Sequence, residues 1–134
     1  MNTIKATKVS KYISISLYLI ITLTGQMIGL PFFIWIVFTF FDFGNFDQLF
    51  AVLAVTGLIV NIINRHKKKR LNIILLDLFC FALLLSPIIR RMTAVPIEMF
   101  DYLAFIIPTT IFVLFYLISI GLSFKTYFKN EQTT

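Results

Sequence analysis

The chain has 134 residues, of which 59% are hydrophobic and only 13% are charged. A soluble domain carries about 25% charged residues, and a soluble fold this short has too much surface to bury so many apolar side chains, which excludes an ordinary soluble domain. The net charge of +6 lies in short clusters beside hydrophobic runs, a pattern typical of membrane topology and not of nucleic-acid binding.

Four hydrophobic runs predict four transmembrane helices, because about 20 apolar residues cross about 30 Å of hydrocarbon. The predicted spans are 12–37, 46–64, 71–89 and 102–124. The first follows a basic stretch, as in a signal peptide, but it is longer than the usual apolar segment of about 7–15 residues. It is therefore expected to stay uncleaved, with a kink at Pro31. Short connections make successive helices antiparallel, so the predicted fold is all-α, a compact bundle forming one domain over residues 1–134.

Basic residues predict the orientation of this bundle. Ten of the twelve Lys and Arg flank the hydrophobic runs: Lys5, Lys8, Lys11, Arg65, Lys67, Lys68, Lys69, Arg70, Lys125 and Lys129. Cytoplasmic segments of membrane proteins are enriched in Lys and Arg, which places both termini and the loop 65–70 in the cytoplasm. The same loop is a candidate site for anionic lipid headgroups, although a role in topology alone accounts for its charges.

Small residues mark candidate helix contacts, since close packing and hydrogen bonds hold helices together in lipid. Gly25 and Gly29 form a GxxxG step in the first predicted span, on one face with Ser14 and Tyr18. Gly57 plays the corresponding part in the second. These faces are expected to contact another helix of the chain or a second copy of it.

Asp77 is the one acidic residue within the third predicted span. Ionisable residues inside a membrane are functional candidates. Counted from the membrane edge, Tyr18, Asn61 and Ser119 lie at a similar depth on the other three spans, which predicts a polar layer. One hypothesis is a proton- or cation-binding site in which Asp77 titrates and Asn61 and Tyr18 assist. The other is a structural clamp, or an acid that reaches toward the basic loop.

The remaining chemistry of the sequence is sparse. Cys80 and His66 are each alone, so we expect no metal centre, no cofactor and no catalytic site. The favoured function is a small non-enzymatic protein, an accessory subunit or homo-oligomeric scaffold whose partners are membrane lipids and another membrane protein or itself. Abundant Ile, Phe, Lys and Asn favour a bacterial plasma (inner) membrane. The alternative is a small proton- or cation-coupled channel or transporter that uses Asp77.

Overall fold

The fold is helical, with one small β-hairpin near the N-terminal end. The computed structural model describes residues 2–24, 29–67 and 70–133. These contain the helices α1 (Thr3–Ile20), α2 (Phe32–Phe40), α3 (Asp47–Ile63), α4 (Leu71–Ala94) and α5 (Leu103–Glu131), the strands β1 (Thr22–Thr24) and β2 (Gly29–Pro31), and two 3₁₀ turns, Asn64–His66 and Ile97–Phe100.

Three of the described helical segments are long and apolar enough to cross a membrane: Asp47–His66, Leu71–Ala94 and Leu103–Glu131. Each offers the run of apolar residues that hydrocarbon requires. The predicted all-α class and the multi-pass membrane character are confirmed in this coarse form.

The first predicted span, 12–37, is not one helix, and this part of the prediction is wrong. α1 begins at Thr3 and ends at Ile20, a hairpin follows, and the helix resumes only at Phe32. Gly29, predicted to lie on a helix face, is in a strand, and Gly25 lies outside the described residues. The local sequence explains the break. β-branched threonines favour strands, a glycine costs about 1 kcal/mol in a helix, and Pro31 has no backbone N–H to donate.

Backbone groups of the hairpin form hydrogen bonds with neighbouring parts of the chain. Leu23 of β1 stands opposite Leu30 of β2 in an antiparallel register. The Phe32 amide donates to the Ile21 carbonyl at 2.7 Å, so the end of α1 is joined directly to the start of α2. Hydrogen bonds of this kind are required wherever non-helical backbone lies at membrane depth.

α4 continues five residues beyond its predicted end at Ile89 and passes through Pro87. A proline within a helix leaves the carbonyl four residues earlier without its donor, which here is the carbonyl of Leu83. The Ser86 hydroxyl donates to that oxygen at 2.8 Å. This local replacement lets the helix run on to Ala94.

Two antiparallel helix pairs position the candidate site. The hydroxyls of Ser10 and Ser14 on α1 donate to the Phe115 and Phe112 carbonyls of α5, each at 2.8 Å. The position on α5 falls as the position on α1 rises, so the two helices are antiparallel. α3 packs antiparallel against α4, and the described residues of α1 and α3 make few direct contacts. A cleft therefore separates α1 from α3.

Candidate functional site

An ion pair between α1 and α4 lies at the centre of the candidate site. Lys11 Nζ donates to Asp77 Oδ1 at 2.7 Å, and the two side chains are 12% and 3% exposed. At so short a distance the attraction amounts to about 6 kcal/mol with an effective dielectric constant of about 20. The cost of removing both charges from water offsets much of it. The pair leaves the buried carboxylate with its countercharge inside the same chain.

Tyr116 joins this pair to α3. Its hydroxyl lies 3.1 Å from Asn61 Oδ1 and 3.2 Å from the Asp77 carbonyl oxygen, so its one proton is shared between two acceptors. The Asn61 amide in turn donates to the Gly57 carbonyl at 3.0 Å. Side chains of all four longer helices thus meet in one connected polar cluster of Lys11, Asp77, Tyr116 and Asn61.

The predicted polar layer is only partly assembled. Asn61 and Asp77 meet through Tyr116, whereas Ser119 lies toward the chain termini and donates to the Thr7 carbonyl at 3.3 Å. Tyr18 lies among aromatic rings, 5.1 Å from the Phe32 ring centre and 4.9 Å from that of Phe112. Its buried hydroxyl has no hydrogen-bond partner among the described residues. Equal depth on separate helices therefore did not make these four residues neighbours.

Two residues of the cluster were not among the predicted site residues. The sequence pattern places Lys11 among the flanking charges that set topology, although its side chain faces the interior two turns into α1. Tyr116 was not assigned to the polar layer. The signal for Lys11 is its spacing from Ser14 and Tyr18, which are three and seven residues later and share its helical face.

Gly57 lies at a close contact between α3 and α4. A Cβ atom placed there would stand 3.2 Å from Leu83 Cβ and 3.4 Å from the Cys80 carbonyl oxygen. A glycine at such a position lets two backbones approach within van der Waals distance.

A basic cavity opens beside the ion pair, in the cleft between α1 and the end of α3. Its volume is about 620 Å³, and Lys11 and Asn61 contribute to its wall. Of the predicted basic loop, Arg65, Lys67 and Arg70 line it, while Lys68 and Lys69 lie outside the described residues. The loop and α1 together therefore surround one space with positive charge.

The chemistry available here is binding and charge compensation. Among the described residues, no group of three or more His, Cys, Asp or Glu side chains could hold a metal ion. Asp77 is bound by a cation of its own chain, so any external cation would first have to displace Lys11. Comparison with protein-family models, curated proteins and solved structures finds no match for this chain.

Proposed function

We propose that this chain is a small non-enzymatic protein of the bacterial inner membrane, with four spans, acting as an accessory subunit or a homo-oligomeric scaffold. The observation that carries the proposal is the internal pairing of Lys11 with Asp77 at 2.7 Å. Any arrangement of the helices that separates such a pair leaves an uncompensated buried charge, so the pairing favours the one arrangement that keeps it. A carboxylate that serves as a transport site must instead be open to its ion.

Three spans of this proposal are the long apolar helical segments, and the remaining, N-terminal span consists of α1 and α2 together. Their 18 and 9 residues correspond to about 27 Å and 13 Å of helix at 1.5 Å per residue. α1 passes Asp77 at Lys11, and α2 ends beside the start of α3, where the Gln48 amide donates to the Phe40 carbonyl at 3.0 Å. α1 and α2 thus run alongside the other helices, and the strand pair lies between them in the chain.

Cysteine labelling tests this topology. In a Cys80→Ser background, a cysteine at Asn45 should react with a membrane-impermeant thiol reagent in intact cells, because the positive-inside rule places residues 42–47 outside. A cysteine at Lys67 should react only after the membrane is opened. The reverse pattern would overturn the orientation, and reaction at both positions in intact cells would overturn the number of spans.

The accessory or scaffold role is supported by how the polar groups and the apolar faces are distributed. The serines of α1 and the amide of Asn61 are used within the chain, while long apolar side chains such as Phe38 and Leu114 remain exposed. In a membrane, such faces contact lipid or another apolar helix. Purification from native membranes in mild detergent after brief crosslinking should yield a discrete oligomer or a stoichiometric partner. A monomer without a partner would contradict the role.

A proton- or cation-coupled transporter is the second candidate, and one observation favours it. Lys11 lines the basic cavity as well as pairing with Asp77, so the ion pair is in reach of that space. If Asp77 is a coupling residue, wild-type protein in proteoliposomes should give flux under a pH or cation gradient, and Asp77→Asn should abolish it while keeping the fold. Absence of flux in the wild type would count against transport.

A further inference from the structure

The basic cavity gathers cations from separate parts of the chain. α1 supplies Lys8 and Lys11, the end of the α3 segment supplies Arg65 and Lys67, and Arg70 stands just before α4. Lys11 is neutralised by Asp77. None of the other four has an acidic partner within 4 Å among the described residues. Four positive charges around one cavity repel each other and attract an anion.

The same cavity has an apolar part of its lining that reaches the exposed surface of the protein. Ile4, Tyr12, Ile15 and Ile62 contribute to its lining, and Ile4 and Ile62 are 51% and 66% exposed. The Arg65 guanidinium carbon lies 4.5 Å from the centre of the Tyr12 ring, so the aromatic face steadies one of the cations. Charged and apolar surfaces therefore adjoin each other within one cleft.

From this juxtaposition we infer that the cavity is a binding site for the phosphate headgroup of an anionic phospholipid. The phosphate takes the place between Lys8, Arg65 and Arg70, and the acyl chains leave along the exposed isoleucines. The cleft lies between α3 and α1 at the end where α3 gives way to α4, which is the level at which headgroups lie if these helices span the bilayer. A soluble phosphate would use the cations but would gain nothing from the isoleucines.

The inference goes beyond the scaffold role. It does not require Asp77 to bind or release a proton or cation, because Asp77 serves only to pair with Lys11. It can be tested by titrating purified protein with phosphatidylglycerol and following bound lipid by native mass spectrometry. Phosphatidylcholine is the matched lipid without net charge, and glycerol phosphate is the headgroup without chains. Wild-type protein should bind phosphatidylglycerol well above both.

A pair of double variants separates a site from general surface attraction. Lys8→Gln with Arg70→Gln removes two lining cations, whereas Lys5→Gln with Lys129→Gln removes two exposed cations near the same end of the molecule that do not line the cavity. A basic residue at an anionic surface contributes about fivefold to binding. The lining variant should therefore bind phosphatidylglycerol about 25-fold more weakly, and the control within about twofold of wild type.

Each other outcome overturns the inference. Equal weakening in both double variants would mean diffuse attraction to the basic end of the protein. Equal binding of phosphatidylcholine would mean that charge is not recognised, and equal binding of glycerol phosphate would point to a soluble phosphate in place of a lipid. The comparison among the three ligands uses wild-type protein, so it decides the question even if the lining variant fails to fold.

Discussion

Removing the positive charge of Lys11 should destabilise the protein strongly. Lys11→Met keeps an unbranched side chain of similar length but leaves the Asp77 carboxylate, 3% exposed, without its countercharge. Loss of one member of a buried ion pair costs about 3–5 kcal/mol. That range lies within the attraction of about 6 kcal/mol that the 2.7 Å distance implies at an effective dielectric constant of about 20.

Removing the charge of the other partner, by Asp77→Asn, should cost less free energy of unfolding, because the lysine side chain is longer and more flexible than the aspartate side chain. After Asp77→Asn, the flexible Lys11 side chain is left at the wall of the cavity and can extend its ammonium group toward water. The loss is then close to that of one charge-assisted hydrogen bond, about 1.5–3 kcal/mol. The double variant carries neither charge, so its destabilisation should fall short of the sum of the two by about 2 kcal/mol or more.

Unfolding in mixed micelles by titration with sodium dodecyl sulfate, followed by circular dichroism, gives the four free energies of this cycle. Lys5→Met is the matched control, since Lys5 is exposed, lies on the same helix as Lys11 and does not line the basic cavity. It should unfold within about 0.5 kcal/mol of wild type. If Lys11→Met is as stable as that control, or if the effects of the two partners add, the ion pair does not hold α1 against α4 and the reasoning fails.

Five further substitutions, two of them controls, can be measured in the same assay. Tyr116→Phe should cost about 1–2 kcal/mol, because it removes the proton shared by two buried acceptors. Tyr18→Phe should cost nothing, since its hydroxyl has no partner among the described residues; equal effects would contradict the assigned bonds. Gly57→Leu should cost about 1–3 kcal/mol through its clash with α4, whereas Gly121→Leu, with open space at its Cβ position, should be neutral or stabilising. Gly44→Ala should cost about 1 kcal/mol because Gly44 has φ of 94°; an unchanged midpoint would mean that the turn relaxes.

The helical and membrane character could be predicted because it depends on runs of residues. Runs of about 20 apolar side chains average out local irregularities, and three of the four predicted spans coincide with long described helices. The break in the first span depends instead on a few residues from Thr22 to Pro31. Hydropathy assigns these to lipid, because it measures the side chains and is insensitive to the local preference of the backbone.

The candidate site was predictable only in part, for a related reason. Depth along each helix can be counted from the sequence, and Asn61 and Asp77 do lie in one cluster through Tyr116. Which helices are neighbours, and how each is rotated, depends on packing that the sequence of one span does not contain. Lys11 illustrates the limit, because a lysine near a predicted membrane edge is ordinarily a topology signal. It becomes a partner only when the packing of α1 against α5 brings its side chain within reach of Asp77 on α4.

The contact between the first and last helices has a consequence for how the protein is made. α1 carries three lysines and is not among the helices apolar enough to span a membrane by themselves. Its serines bond to α5, and the Tyr102 hydroxyl just before α5 donates to the Thr22 carbonyl of the hairpin at 2.6 Å. Those partners are synthesised roughly 80 to 105 residues after it. We therefore expect α1 to enter the membrane only after the ribosome has finished α5, so that in an incomplete chain α1 stays outside the bilayer and is open to proteases.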